Sequence, residues 1–197
     1  NVLQAGNGNF LISGFNSSNV GEYQPDGTFV RMFVTAGSGG LSGAAGMAIG
    51  SDGNLFISSA NNGKVLRFDG TTGAFIDEFI STGLSFPLGL TFGPDGNLYV
   101  ASQSSHGVLK FNGTTGVLDA TFNAPSTGTT EDITFGPDGN LYVSSISNGV
   151  VRLNGATGAF IDNFVAIGTG GLTTAAGLSF GPDGNLYISD QNANAVR

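Results

Sequence analysis

Short apolar runs, each closed by Gly, Pro, Asn, Asp, Ser or Thr, follow one another along the whole chain. Pro87-Leu88-Gly89-Leu90-Thr91-Phe92-Gly93 is one such run. Pro94-Asp95-Gly96 turns it, because Pro presets φ and Asp-Gly tolerates the positive φ of a tight hairpin. Asn97–Ser102 is a second run, Gln103–His106 a polar loop, and Gly107–Asn112 a third run. Gly113-Thr114-Thr115-Gly116 then turns the chain into a fourth, Val117–Phe122. The runs are rich in β-branched and aromatic residues, which fit a pleated surface. No segment holds a 3.6-residue apolar stripe for three turns, so the pattern predicts strands and no helix.

The same order recurs. GPDGNLYV stands at Gly93–Val100 and Gly136–Val143, GPDGNLYI at Gly181–Ile188, GSDGNLFI at Gly50–Ile57 and a worn GNGNFLI at Gly6–Ile12. The marker glycines Gly8, Gly53, Gly96, Gly139 and Gly184 are 45, 43, 43 and 45 residues apart. Such a period means one supersecondary unit copied in series. Four short antiparallel strands per copy match one blade of a β-propeller, so the expected fold class is all-β, a β-propeller of four-stranded antiparallel blades. The strands read as nearly continuous apolar runs, as they must when a blade is covered on both faces.

The period divides residues 1–197 into a single domain of repeats at 1–40, 41–84, 85–127, 128–172 and a partial 173–197. The first strand of each blade is expected near Val2–Ala5, Met47–Gly50, Leu88–Gly93, Ile133–Gly136 and Leu178–Gly181. Arg197 aligns with Arg67 in the middle of a third strand. The expectation is therefore a piece of a longer parent with six or more blades. An open propeller edge would invite pairing with another chain.

Charge narrows the partners. Fourteen acidic residues against six basic ones give a net charge of −8, which argues against nucleic acid, whose binding rests on clustered Lys and Arg. No apolar run approaches the roughly 20 residues of a transmembrane helix. With no Cys, disulfides and thiolate metal sites are excluded. Charged residues are only 10 %, so Ser, Thr, Asn and Gly must solvate the surface. That composition leans towards a bacterial secreted, periplasmic or cell-surface protein. Opposite charges at Arg67/Asp77 and Arg152/Asp162, reversed at Glu22/Arg31, fit a pairing of third and fourth strands, and the plainer reading is that they are solvated blade-edge charges. In the third copy Lys110 meets Ala120 at the aligned position, so the pair is not obligatory.

The pattern Gly-Leu-x-Phe-Gly-Pro-Asp-Gly-Asn-Leu-Tyr-Val, a polar loop, then Val-Leu-Arg-Phe-Asp resembles NHL repeats and the related propellers of the SMP-30/gluconolactonase-like group. The resemblance covers nearly the whole chain. It implies a fold that carries binding modules as well as enzymes. NHL repeats place an Asp at the end of the second strand; Asp190 matches, while Gly14, Ser59, Ser102 and Ser145 occupy the aligned positions. The basic face of RNA-binding NHL propellers has no counterpart in this acidic chain. Lactonase-type relatives hold a divalent metal with Glu, Asn and Asp from several blades, a set with no residue-by-residue match here.

In a propeller the GPDGN and GTTG turns share one face, and the loops between blades and between second and third strands share the other. The second face varies, so it is the place for a site. Ala45-Gly46, Leu88-Gly89 and Ala176-Gly177 open the first strands of three blades, but Glu131-Asp132 opens the fourth. His106, the single histidine, lies in the third blade's loop on that face, and Asn61, Asn62, Gln191 and Asn192 occupy matching loops. Glu131 and Asp132 are candidate metal ligands, with oxygen-preferring Ca2+ or Mg2+ favoured over zinc. The plain alternative is that these are solvated loop residues. One turn carboxylate per GPDGN is too few oxygens for a calcium loop. Two readings of function follow. The first is a non-enzymatic exported propeller, a scaffold or recognition module for protein or carbohydrate, with no cofactor. The second is a metal-dependent lactonase, other hydrolase or lyase working at the channel mouth.

Overall fold

The computed structural model describes residues 1–103 and 107–197. Every regular element among them is an antiparallel strand, apart from three single turns of 3-10 helix at Ser38–Gly40, Ala60–Asn62 and Thr169–Gly171. The contacts group the chain into two compact units, Asn1–Pro87 and Leu88–Arg197.

The first unit holds two four-stranded sheets. One is β1 (Val2–Gln4), β2 (Phe10–Gly14), β3 (Asn19–Tyr23) and β4 (Phe29–Val34), joined in sequence order. The other is β5 (Ala44–Ile49), β6 (Leu55–Ser59), β7 (Lys64–Phe68) and β8 (Phe75–Ile80). Leu11, Val20, Phe33, Val34, Met47, Ile57 and Phe68 interleave between them as one buried cluster. Such a cluster is the main stabilising term, at roughly 25 cal/mol for each Å² of apolar surface removed from water.

The second unit holds three sheets. β9 (Pro87–Phe92), β10 (Leu98–Ser102) and β11 (Gly107–Phe111) form the first; β12 (Thr130–Phe135), β13 (Leu141–Ser145), β14 (Gly149–Leu153) and β15 (Phe160–Val165) the second. β16 (Ala175–Phe180), β17 (Leu186–Asp190) and the short β18 (Ala195–Val196) form the third. Neighbouring sheets meet ring on ring. Tyr99 packs edge-on against Phe135 at 4.9 Å, and Tyr142 repeats the contact with Phe180 at 5.0 Å. Edge-to-face pairs of this kind add about 0.5–1.5 kcal/mol beyond their buried area.

The turns explain the repeat. Gly53, Gly96, Gly139 and Gly184 all take a positive φ, between 74° and 78°, which an L side chain resists. The Asp before each glycine does a second job. Asp95 Oδ1 accepts the backbone N–H of Asn97 at 3.1 Å, while its Oδ2 accepts Asn97 Nδ2 at 2.9 Å and the Tyr99 hydroxyl at 3.0 Å. Asp138 and Asp183 bond in the same way. Burial alone would raise the Asp95 carboxyl, but these donors and Lys110 outweigh it and hold it at about 2.

The opposite charges face each other in register: Glu22 with Arg31, Arg67 with Asp77 and Arg152 with Asp162. The third blade departs from expectation. Val117–Phe122 does not form a fourth strand; only a single bridge joins Phe111 to Leu118. The acid sits one position early there, so Lys110 bonds Asp119 at 3.2 Å and the turn residue Asp95 at 3.1 Å. Asp119 Oδ1 also accepts the Thr121 backbone N–H at 2.9 Å, a local turn that competes with strand pairing. Phe122 nevertheless reaches Tyr99, with ring centroids 5.2 Å apart.

Candidate functional site

Glu131 and Asp132 lie near the start of β12, and both are half-buried. Ladder pairing slips between Thr130 and Ile133, so the two acids stand at an irregularity of the first strand. Asp132 turns into the protein. Its Oδ1 accepts the backbone N–H of Ile133 at 2.9 Å, and its Oδ2 accepts that of Leu178, on β16, at 3.0 Å. Its own N–H donates to Ser144 Oγ at 2.8 Å, and that hydroxyl donates on to the Ala176 carbonyl.

Glycine makes room for this arrangement. A Cβ on Gly89 would stand 2.7 Å from the Asp132 Cα and 3.0 Å from the Ile133 nitrogen. A Cβ on Gly177 would approach the Asp132 Oδ2 to 3.9 Å. Asp132 is thus set between first-strand glycines of both neighbouring blades. Burial raises its carboxyl above the usual range, and the two backbone donors only partly offset this.

Glu131 points elsewhere. Its Oε1 accepts Gln103 Nε2 at 2.8 Å. Burial raises its carboxyl as well, with the Gln103 bond opposing the shift and the Asp132 charge adding to it. Gln103 lies in the third blade's loop and was not among the candidate site residues of the sequence. The only signal for it was its place in the loop that ends at His106. His106 itself lies outside the described residues.

The amide-bearing loops are held to the turns beside them. Asn61 Nδ2 donates to Ser42 Oγ at 3.3 Å, and Asn62 Nδ2 to the Gly40 carbonyl at 2.8 Å. In the second unit Asn192 Nδ2 donates to Thr174 Oγ1 at 2.6 Å, and the Gln191 backbone N–H to the Thr174 carbonyl at 3.2 Å. Among the described residues no three His, Cys, Asp or Glu side chains converge on a point where a metal ion could sit.

Asp190, the match to the NHL position, is 1 % exposed and wholly engaged. It accepts Thr173 Oγ1 at 2.6 Å, the Thr173 and Thr174 backbone N–H groups at 2.9 and 3.0 Å, and Arg197 Nε at 3.4 Å. The Thr173 hydroxyl leads the donors that hold its carboxyl well below the usual range, against the opposing effect of burial. Its role is to tie the inter-blade loop to β17. Ser59 does the same through Ser42 alone, accepting its N–H at 2.9 Å and donating to its carbonyl at 3.3 Å.

Repeated antiparallel blades of this pattern define a β-propeller, and the likeness to solved structures bears that out. The chain is similar to a catalytically inactive virginiamycin B lyase from Staphylococcus aureus solved with quinupristin (TM-score 0.76, 19 % identity, covering 99 % of this chain and 64 % of that one). It is also similar to a gluconolactonase from Xanthomonas campestris (TM-score 0.72, 17 % identity, 96 % and 68 %). A third is the extracellular domain of a candidate hybrid two-component system from B. thetaiotaomicron (TM-score 0.69, 14 % identity, 100 % and 26 %). At these identities the likeness is one of fold. The chain spans less than two thirds of the length of the lyase. No family model matches the chain, and no curated protein sequence does. No helix among the described residues is long and apolar enough to cross a membrane.

Proposed function

We propose that the chain is the propeller of an exported or cell-surface protein and acts as a non-enzymatic scaffold or recognition module for protein or carbohydrate. The observation that carries this reading is the use of Asp132. Both its oxygens accept backbone N–H groups, one from its own strand and one from the next blade, so the acid holds strands together. Glu131 is likewise engaged by Gln103. The two acids that offered a reactive centre have structural partners instead. A low share of charged residues supports the export reading, and so does the extracellular setting of one structural neighbour.

The test is a turnover screen on the purified chain. Gluconolactone and quinupristin, chosen from the names of the two enzymatic neighbours, are incubated with it in the presence and absence of Ca2+, Mg2+ and Zn2+. No product above the Asp132→Ala and Glu131→Ala variants is expected. Turnover that depends on either acid would overturn the reading and favour the hydrolase or lyase.

A further inference from the structure

The loop side of the first unit carries an aromatic pair in an unusual conformation. Phe15, in the loop between β2 and β3, is 39 % exposed. Phe86, which leads into β9, is half-buried and lies against Phe15, with ring centroids 6.1 Å apart at a 58° tilt. Phe86 has φ of 54°, one of three non-glycine residues with positive φ among the described residues. L side chains resist this region, and a following proline, here Pro87, narrows the choice further. A bulky residue held in such a state marks a place where the side chain's direction matters more than local ease.

The pair belongs to one closed circuit of contacts. Ser18, three residues after Phe15, accepts the Gly43 N–H at 3.0 Å. Gly43 lies under Asn61, whose amide nitrogen would be 2.9 Å from a Cβ there. Gly63, just beyond, lies against the Leu84 carbonyl, 2.7 Å from where its own Cβ would be. Leu84 leads back to Phe86. The circuit thus joins the loops that carry the two aromatic rings to the loop that carries the exposed residues Asn61 and Asn62.

The side chains of these loops carry no charge. Residues 13–19, 35–43, 59–63 and 81–86 contain no Asp, Glu, Lys, Arg or His. Lys64, at their border, is paired with Glu78. The chain as a whole carries −8, so the neutrality is local. Aromatic faces carry a negative quadrupole, which attracts the weakly positive axial C–H groups of a sugar ring. Side-chain amides supply the donors and acceptors that hydroxyl groups require. A charged partner finds no side-chain counter-ion in these loops.

From this juxtaposition we infer that Phe15 and Phe86 form a stacking platform, flanked by Asn61 and Asn62, for a pyranose ring of a neutral oligosaccharide. The inference rests on the recognition reading and names its ligand class and its place. Phe86 keeps its left-handed backbone because that conformation lays its ring beside Phe15.

The experiment is isothermal titration of the whole chain against xylohexaose, maltohexaose, cellohexaose and chitohexaose, with oligogalacturonate as the charged comparison. Binding of at least one neutral hexaose is expected, weakened tenfold or more by Phe15→Ala and by Phe86→Ala. Phe86→Gly removes the ring and the backbone conflict together. It is expected to lose binding while its Tm holds or rises, a result that a purely structural ring would not give. Binding unaffected by these substitutions, no neutral binding at millimolar sugar, or binding of oligogalacturonate alone would overturn the inference. So would a Phe86→Gly variant that loses Tm and keeps its affinity. These results leave the recognition reading to stand or fall on the turnover screen, which involves neither phenylalanine.

Discussion

Asp132 Oδ2 stands 3.0 Å from the backbone nitrogen of Leu178, so one side chain joins the first strands of two adjacent blades. A backbone donor has no side-chain alternative when that oxygen is removed, and an unmet buried N–H carries the full cost of its lost hydration. Asp132→Ala is therefore expected to lower unfolding free energy by about 2–4 kcal/mol. Glu131→Ala, which releases only a side-chain amide, should change it by less than about 1 kcal/mol. Urea denaturation of both variants checks the asymmetry. Equal effects would mean that Asp132 is not the tie.

Gly89 leaves no space for a side chain, because a Cβ there would be 2.7 Å from the Asp132 Cα. The opposing atom is backbone and cannot swing aside. Gly89→Ala is expected to cost about 1–3 kcal/mol, as overpacking does. The corresponding change at Gly177, whose nearest neighbour would be the Ser189 hydroxyl at 3.1 Å, should be milder. Thermal denaturation of the pair tests the ranking.

Glu22 is 2 % exposed and accepts Arg31 Nε at 2.7 Å and the Asn9 and Asn7 amides at 2.8 Å each. The Arg31 bond foremost, then the Asn9 bond, hold its carboxyl down at about 2 against the effect of burial. An unfolded glutamate titrates near pH ~4.3. A depressed folded value gives stability that is fully present above the unfolded one and is lost as pH falls towards about 2. Stability measured from pH 5 down to pH 2 (an experimental range of about three units, set by these two limits) should fall, and Glu22→Gln should flatten part of that fall. A parallel curve for the variant would remove Glu22 from the acid response.

Asp190 and Ser145 hold the same place at the end of the second strand. Asp190 accepts the Thr173 hydroxyl and two backbone N–H groups, whereas Ser145 Oγ has a single contact with Ser147 Oγ at 3.4 Å. Asp190→Ser, which makes the fifth repeat like the fourth, should lower Tm by more than Ser145→Ala does. Differential scanning fluorimetry reads the comparison.

Much of this was legible from residues close together in the chain. Asp95, Gly96 and Asn97 fix their own turn, so the period and the strand order could be read directly. The pairing of Arg152 with Asp162 was legible because a short hairpin sets its register. The third blade was not, because moving one acid from position 120 to Asp119 redirects Lys110 and replaces a strand with a turn. The role of Asp132 was hidden for a different reason. Its partner is a backbone N–H 46 residues away, and a backbone donor leaves no mark in the sequence. The pair Glu131-Asp132 stands out from the repeat in the sequence, but spacing alone gives no sign of the partners either side chain takes. Phe86 offered no signal at all, since its backbone angle is set by the loop around it.

The bonds that shape the GPDGN turn run from Asp95 to Tyr99, within five consecutive residues, while Lys110 and the Gly155 carbonyl add partners from further along the chain. A segment of that kind is largely portable. Copied elsewhere in a gene, it would carry the shape of its turn with it. What a new copy would have to acquire is its loops, and in this chain the departures from the repeat, Phe15, Phe86 and Glu131-Asp132 among them, lie there or at the strand ends beside them. Diversity in such a lineage would accumulate in the loops while the turns kept time.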